Sequence, residues 1–127
     1  EDEVIMVRQF RYPYKELIYE IPAGKLDGIE NPLDAGKREF KEECGGEAEE
    51  YISLGEVYPT PGYTNEVIHL YWAKGLTFGE QHLDEGELLT VTKMKFDTLY
   101  KKVMNGEIKD AKTVIAARKL KELRNRE

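Results

Sequence analysis

Apolar and polar positions along this chain repeat with two periods, and the switch between them outlines its elements. Val4 to Phe10 (VIMVRQF) is β-branched and mostly apolar, as a buried strand is, and 17–21 (LIYEI) alternates like a second strand. RYPYKE, between them, has the proline and polar residues of a turn. Pro22-Ala23-Gly24 closes the second strand and opens a loop, KLDGIEN. The period then becomes helical. Asn31 reads as the N-cap, Pro32 suits the first helical position, Asp34 lies in the first turn and Gly45-Gly46 ends the run. Leu33, Phe40 and Cys44 make its apolar stripe. Gly36 weakens such a helix by up to ~1 kcal/mol against alanine, unless close packing demands the missing side chain.

Three further runs read as strands: YISLGEVY (51–58), EVIHLYWA (66–73), joined to it by PTPGYTN, and ELLTVTKMKF (87–96). Asp97 is predicted to cap a short helix ending at Asn105-Gly106. Asp110 is predicted to cap a last helix, AKTVIAARKLKELRNR, with Val114, Ala117, Leu120 and Leu123 on or near one face. Strands and helices mix without regular βαβ alternation. The expected class is α+β, a mixed sheet with helices packed on its faces. At 127 residues, without repeat or linker, a single domain over residues 1–127 is expected.

Composition narrows the chemistry. Hydrophobic residues make up 40% of the chain, enough for a core, and charged residues 35%. The net charge of -6 argues against nucleic-acid partners, because nonspecific binding relies on Lys and Arg neutralising phosphates. A small phosphorylated ligand stays possible if a cation or local arginines mediate. The single Cys44 excludes an internal disulfide and a thiolate metal cage and fits a reducing compartment. No apolar run nears the ~18 residues of a membrane span and no signal-peptide pattern opens the chain, so a cytoplasmic protein without membrane partners is expected. The chain enters its first strand almost at once, which leaves open that it is a piece of a longer protein.

The helix carries an unusual acid cluster. In REFKEE (38–43), Glu39 and Glu43 are four apart and share a face, and Glu42 lies beside them. Each like-charge pair repels by a few tenths of a kcal/mol. Two readings are open: a solvated face, or an edge that holds something positive. Hard divalent cations such as Mg²⁺ take one or two carboxylates together with phosphate oxygens and water. Arg38, four residues before Glu42, can pair with it or orient a neighbour. A glycine-containing loop directly after a strand leads into this helix, so backbone carbonyls can approach the same edge.

Gly24, Glu30 and Arg38-Glu39-Phe40-Lys41-Glu42-Glu43-Cys44-Gly45 also resemble the Nudix box, G-x5-E-x7-R-E-U-x-E-E-x-G-U, where U is bulky and apolar. Every charged and glycine position matches. The one departure is Gly46, where the motif has a bulky apolar residue. The resemblance implies a Nudix fold, an α/β/α sandwich around a mixed sheet, and Mg²⁺- or Mn²⁺-dependent hydrolysis of a nucleoside diphosphate linked to another moiety. It implies Glu39 and Glu43 as main metal ligands, Glu42 as a ligand directly or through water, and the Ala23 carbonyl as a further ligand. Glu30 would hold Arg38 in place.

The flanking residues resemble the ADP-ribose pyrophosphatase branch over nearly the whole chain. VRQFRYPYKELIYEIPAGKL precedes the box, with Arg11 implied to face the diphosphate or adenosine. PTPGYTNE follows it, with Pro61 about sixteen residues past the box. Pro61, Gly62 and Glu66 are implied substrate contacts, Glu66 at the terminal ribose. In LDEGELLTV, Glu85 matches the glutamate that positions or deprotonates the attacking water; Glu87 is second choice, and a solvated acidic loop is the alternative. The tail, NGEIKDAKTVIAA, also resembles that branch. The expected substrate is a nucleoside diphosphate sugar, ADP-ribose, cleaved to AMP and ribose 5-phosphate. The alternatives are another nucleotide sugar or dinucleotide, or a non-catalytic ADP-ribose sensor. The branch also implies a homodimer and a preceding β segment. Other residues take plainer readings: His69 as packed or hydrogen-bonded, His82 as exposed, Cys44 as core, the basic tail as a solvated helix end. Tyr12, Tyr14 and Tyr63 are candidates for stacking on adenine.

Overall fold

The computed structural model describes residues 3–24, 30–81 and 89–126. In chain order the elements are β1 (Glu3–Arg11), β2 (Glu16–Glu20), α1 (Pro32–Cys44), β3 (Gly46–Val57), β4 (Ile68–Phe78), β5 (Leu89–Lys95), α2 (Phe96–Met104) and α3 (Ala111–Asn125). They form two compact units, one from Glu1–Pro22 with Gly86–Glu127, the other from Ala23–Glu85. The class is α+β, as expected, and every strand pairing among the described residues is antiparallel.

In the first unit β1 is the central strand of three, in the order β2-β1-β5. Successive residues of a strand point to opposite faces. Met6 and Val7 are both buried, so the strand is covered on both sides there, and this explains an apolar run without alternation. Met6 packs with Phe96, Leu99 and Val103 of α2, Ile108, and Ala117 of α3, with Val114 and Leu120 against them. α2 starts two residues earlier than expected. Phe96 is drawn into the core as the first helical residue, and Lys95 takes the N-cap position without a side-chain cap. Asp97 therefore does not cap; it sits in the first turn, where its charge still favours the helix dipole. α3 is capped as expected, Asp110 accepting from the Thr113 N–H at 3.2 Å. No helix among the described residues is long and apolar enough to cross a membrane.

A buried polar network ties this unit together. Glu20, 2% exposed, receives a two-pronged bond from Arg11 (Nε 2.6 Å, Nη2 2.7 Å) and a third from Lys112 Nζ at 2.8 Å. Lys112 also reaches Asp110. The wholly buried Thr113 hydroxyl donates to Asp110 at 2.6 Å and accepts from the Ile21 N–H at 3.0 Å. Burial alone raises the Glu20 pKa, but the bonds from Arg11 and Lys112 and their charges outweigh it and leave the carboxyl below its usual range.

In the second unit β3 and β4 form an antiparallel pair with a register irregularity between Ser53 and Gly55, and α1 packs on both strands. Both strands are longer than their apolar patterns. β3 starts at Gly46 rather than residue 51 because its acidic stretch finds partners on β4, including Glu50 opposite Lys74.

The Glu20 network gives a pH signature. A depressed carboxyl pKa stabilises the fold above the unfolded value, near about 4.3 for glutamate, and the contribution is lost as pH falls through the lower folded value. Glu20→Gln is expected to destabilise by roughly 1–3 kcal/mol at neutral pH, the scale of leaving buried donors unmatched. Half-exposed Arg11 can rehydrate, which keeps the loss below that of a fully buried pair. Denaturant melts at several pH values should show the gap between wild type and variant narrowing below about pH 4.

Candidate functional site

The site is built on α1, and both helix ends are fixed by local chemistry. Asn31 Oδ1 accepts from the Leu33 N–H at 2.8 Å and the Asp34 N–H at 3.4 Å, with Pro32 in the first turn. At the far end Gly45 is left-handed, φ 69°, and its N–H closes on the Lys41 carbonyl at 2.8 Å. A Cβ there would strike the Gly79 carbonyl, and the Gly79 N–H donates to the Gly45 carbonyl at 2.6 Å. Both conformation and close approach therefore require glycine at 45.

Gly46 has a packing cause. A Cβ at this position would lie 2.5 Å from Phe40 Cζ. The Phe40 ring occupies that volume and meets Phe78 edge-on, with centroids 6.1 Å apart. The bulky residue that the box pattern carries at 46 is absent here, and the ring of Phe40, itself a bulky position of that pattern, fills the space. Gly36 is different: a Cβ would meet the Tyr71 ring at 3.7 Å, ordinary contact, so packing does not demand a glycine.

Arg38 gathers the acids. Its Nε and Nη2 donate to Glu30 at 2.9 and 3.0 Å, and its Nη1 donates to Glu39 at 2.8 Å and Glu42 at 3.1 Å. Three carboxylates thus share one guanidinium. The bonds to Glu30 raise the Arg38 pKa above the usual guanidinium range; burial opposes this, and Glu39 adds to it. Glu39 lies over the backbone of Gly24, in space that a Cβ at 24 would fill.

Glu43 differs from its neighbours. The helix was expected to present Glu43 along the same edge as Glu39, but its residue is only 4% exposed, and Oε1 accepts from the Ala23 N–H at 3.1 Å. Gln81, which the sequence reading missed, donates from Nε2 to the Glu43 carbonyl at 2.6 Å. Nothing in the local sequence signals a bond across 38 positions. Cys44 is core as expected: burial, with the Glu43 charge adding, pushes its thiol up to about 12.

The structure thus brings together Glu30, Arg38, Glu39 and Glu42, and separately Ala23 with Glu43. Pro61, Gly62 and Glu66 lie on the exposed connection between β3 and β4, where Thr60 and Thr64 organise a turn. Arg11, in the other unit, is paired with Glu20. Tyr12, Tyr14 and Tyr63 are exposed, and His69 contacts Glu56 at 3.5 Å. Glu85 lies outside the described residues, as do His82, Gly86 and Glu87. Among the described residues no three His, Cys, Asp or Glu side chains stand as a ready-made metal group. The donor chemistry nonetheless fits a hard divalent cation. Glu39 and Glu42 each turn an oxygen to one cationic nitrogen, and Gly24 leaves the cradle that the Glu39 carboxyl fills.

The two glycines predict opposite outcomes. Gly46→Leu should destabilise by about 1–3 kcal/mol through overpacking against Phe40. Gly36→Ala should stabilise by up to about 1 kcal/mol. Paired denaturant melts check both signs.

The NUDIX domain family model matches residues 1–117. The chain is 40% identical over 122 residues to the methanol dehydrogenase activator of Bacillus methanolicus, covering 94% of this chain and 66% of that protein. It is 38% identical over 118 residues to the ADP-ribose pyrophosphatase of Bacillus subtilis (strain 168), covering 91% and 64%. The chain therefore spans about two thirds of the length of these curated relatives. A solved structure described as an ADP compounds hydrolase superposes with a TM-score of 0.86 at 22% identity, over 97% of this chain and 66% of that one.

Proposed function

Because the chain belongs to the NUDIX domain family, we propose that it hydrolyses the diphosphate of ADP-ribose, giving AMP and ribose 5-phosphate with the help of Mg²⁺ or Mn²⁺. The observation that carries this reading is the Arg38 cluster, with every charged and glycine position of the box present and Glu30, Glu39 and Glu42 gathered on one guanidinium. The resemblance to an ADP-ribose pyrophosphatase supports the choice of substrate.

In this reading Glu39, Glu42 and Glu43, with the Ala23 carbonyl, would hold the divalent cation. When bound, that cation neutralises the diphosphate, acidifies a water and stabilises the departing phosphate. The chain's own residues do the rest. The Glu30 fork keeps Arg38 in the plane that presents Glu39 and Glu42. The resemblance assigns Arg11 to the diphosphate or adenosine, and Pro61, Gly62 and Glu66 to the sugar end. Glu85 takes a proton from the attacking water, whose oxygen bonds to one phosphorus as the bridging P–O bond breaks and its electrons leave with the other phosphate. A single catalytic domain and a homodimer belong to the same proposal. A sensor without catalysis would not need the complete set of box carboxylates.

The test is release of monophosphate from a panel of nucleoside diphosphate sugars with Mg²⁺. ADP-ribose should turn over fastest; tight binding without turnover of any would replace the enzyme reading with the sensor. Glu43→Gln keeps an oxygen for the Ala23 N–H, so the fold should survive. Turnover should fall by roughly a hundredfold or more, the scale of losing one charge that stabilises the transition state. Full activity in this variant would remove Glu43 from the machinery.

A further inference from the structure

The Arg38 guanidinium is divided between two tasks. Nε and Nη2 form the fork on Glu30, and Nη1 alone spans Glu39 and Glu42. Resting on the reading that Glu39 and Glu42 hold a divalent cation, we propose that Arg38 Nη1 is a place-holding cation of the site. It screens these two carboxylates from each other until the metal arrives, and it competes with the metal for them.

Three observations lead there. Glu39 and Glu42 are three apart on one helix and repel unless a positive group lies between them. The group between them is a single nitrogen, at 2.8 and 3.1 Å, so their oxygens already converge on one cationic point. The fork on Glu30 does not use that nitrogen. When Glu39 and Glu42 let go of Nη1, the Glu30 fork still holds Arg38 beside the site. Loading is then an exchange of one cation for another at a fixed pair of acids. The resident charge lowers affinity for the incoming ion but keeps the two acids converged.

An orienting role for Arg38 predicts the opposite sign. If Arg38 only aimed the carboxylates, its removal would weaken metal binding. If it competes, removal tightens binding. The readout is Mn²⁺ affinity, followed by the free-ion electron paramagnetic resonance signal, with no substrate present. Arg38→Gln should bind Mn²⁺ roughly tenfold or more tightly, the scale of one charge-assisted hydrogen bond. The same variant should melt lower without metal, and the gap should close at saturating Mn²⁺. Equal or weaker binding by Arg38→Gln overturns the proposal.

A second measurement uses the wild type and needs no variant. In side-chain ¹⁵N spectra, adding Mg²⁺ should move the Arg38 Nη resonances while Nε, held by Glu30, stays put. No movement at saturation overturns the proposal as well. Wild-type protein that binds neither ion would instead remove the metal reading itself, an outcome distinct from either of these.

Discussion

The fork between Arg38 and Glu30 is the interaction on which the site depends. Helical spacing brings Glu39, Glu42 and Glu43 within about one turn, and like charges at that spacing oppose the helix that carries them. A guanidinium offers a planar set of donors that can hold one carboxylate with two bonds and still reach others. Here Glu30 fixes the plane and Nη1 serves Glu39 and Glu42. Charge-assisted bonds of this kind contribute about 1.5–3 kcal/mol each when shielded from water. That exceeds the few tenths lost to each repelling pair, so the helix can carry its acids without melting.

The helix ends serve the same purpose. Asn31 and Pro32 set where α1 begins, and left-handed Gly45 sets where it stops, so the register of every acid relative to Ala23 and Gly24 is fixed. Glu43 is then tied to the Ala23 N–H and Glu39 rests on Gly24. The first unit solves a comparable problem differently. Its buried carboxylate, Glu20, sits between two cations, with Asp110 balancing the second. Complete pairing is what allows ionised groups to stay inside.

Much of this was legible in the sequence, for physical reasons. The α1 caps depend on residues adjacent in the chain, and the box spacing is a helical period, so Asn31, Gly45 and the Arg38 cluster could be read locally. Features set by distant neighbours could not. The polar start of β3 is a strand because β4 lies opposite, and Phe96 begins α2 because the core of its unit claims it. Burial of Glu43 depends on a backbone N–H twenty residues away, and the Glu20 network on Lys112, ninety-two residues away. Local pattern put Asp97 at a cap because aspartate suits caps; packing moved the boundary by two residues.

Phe40 and Gly46 share one parcel of space. With the Phe40 ring placed as it is, position 46 must stay bare, whereas the box pattern carries bulky apolar residues at both positions; a large side chain at 46 would therefore require the ring to turn away. Shrinking residue 40 alone would leave a void beside Phe78. A change at either site is intelligible only with the other in view.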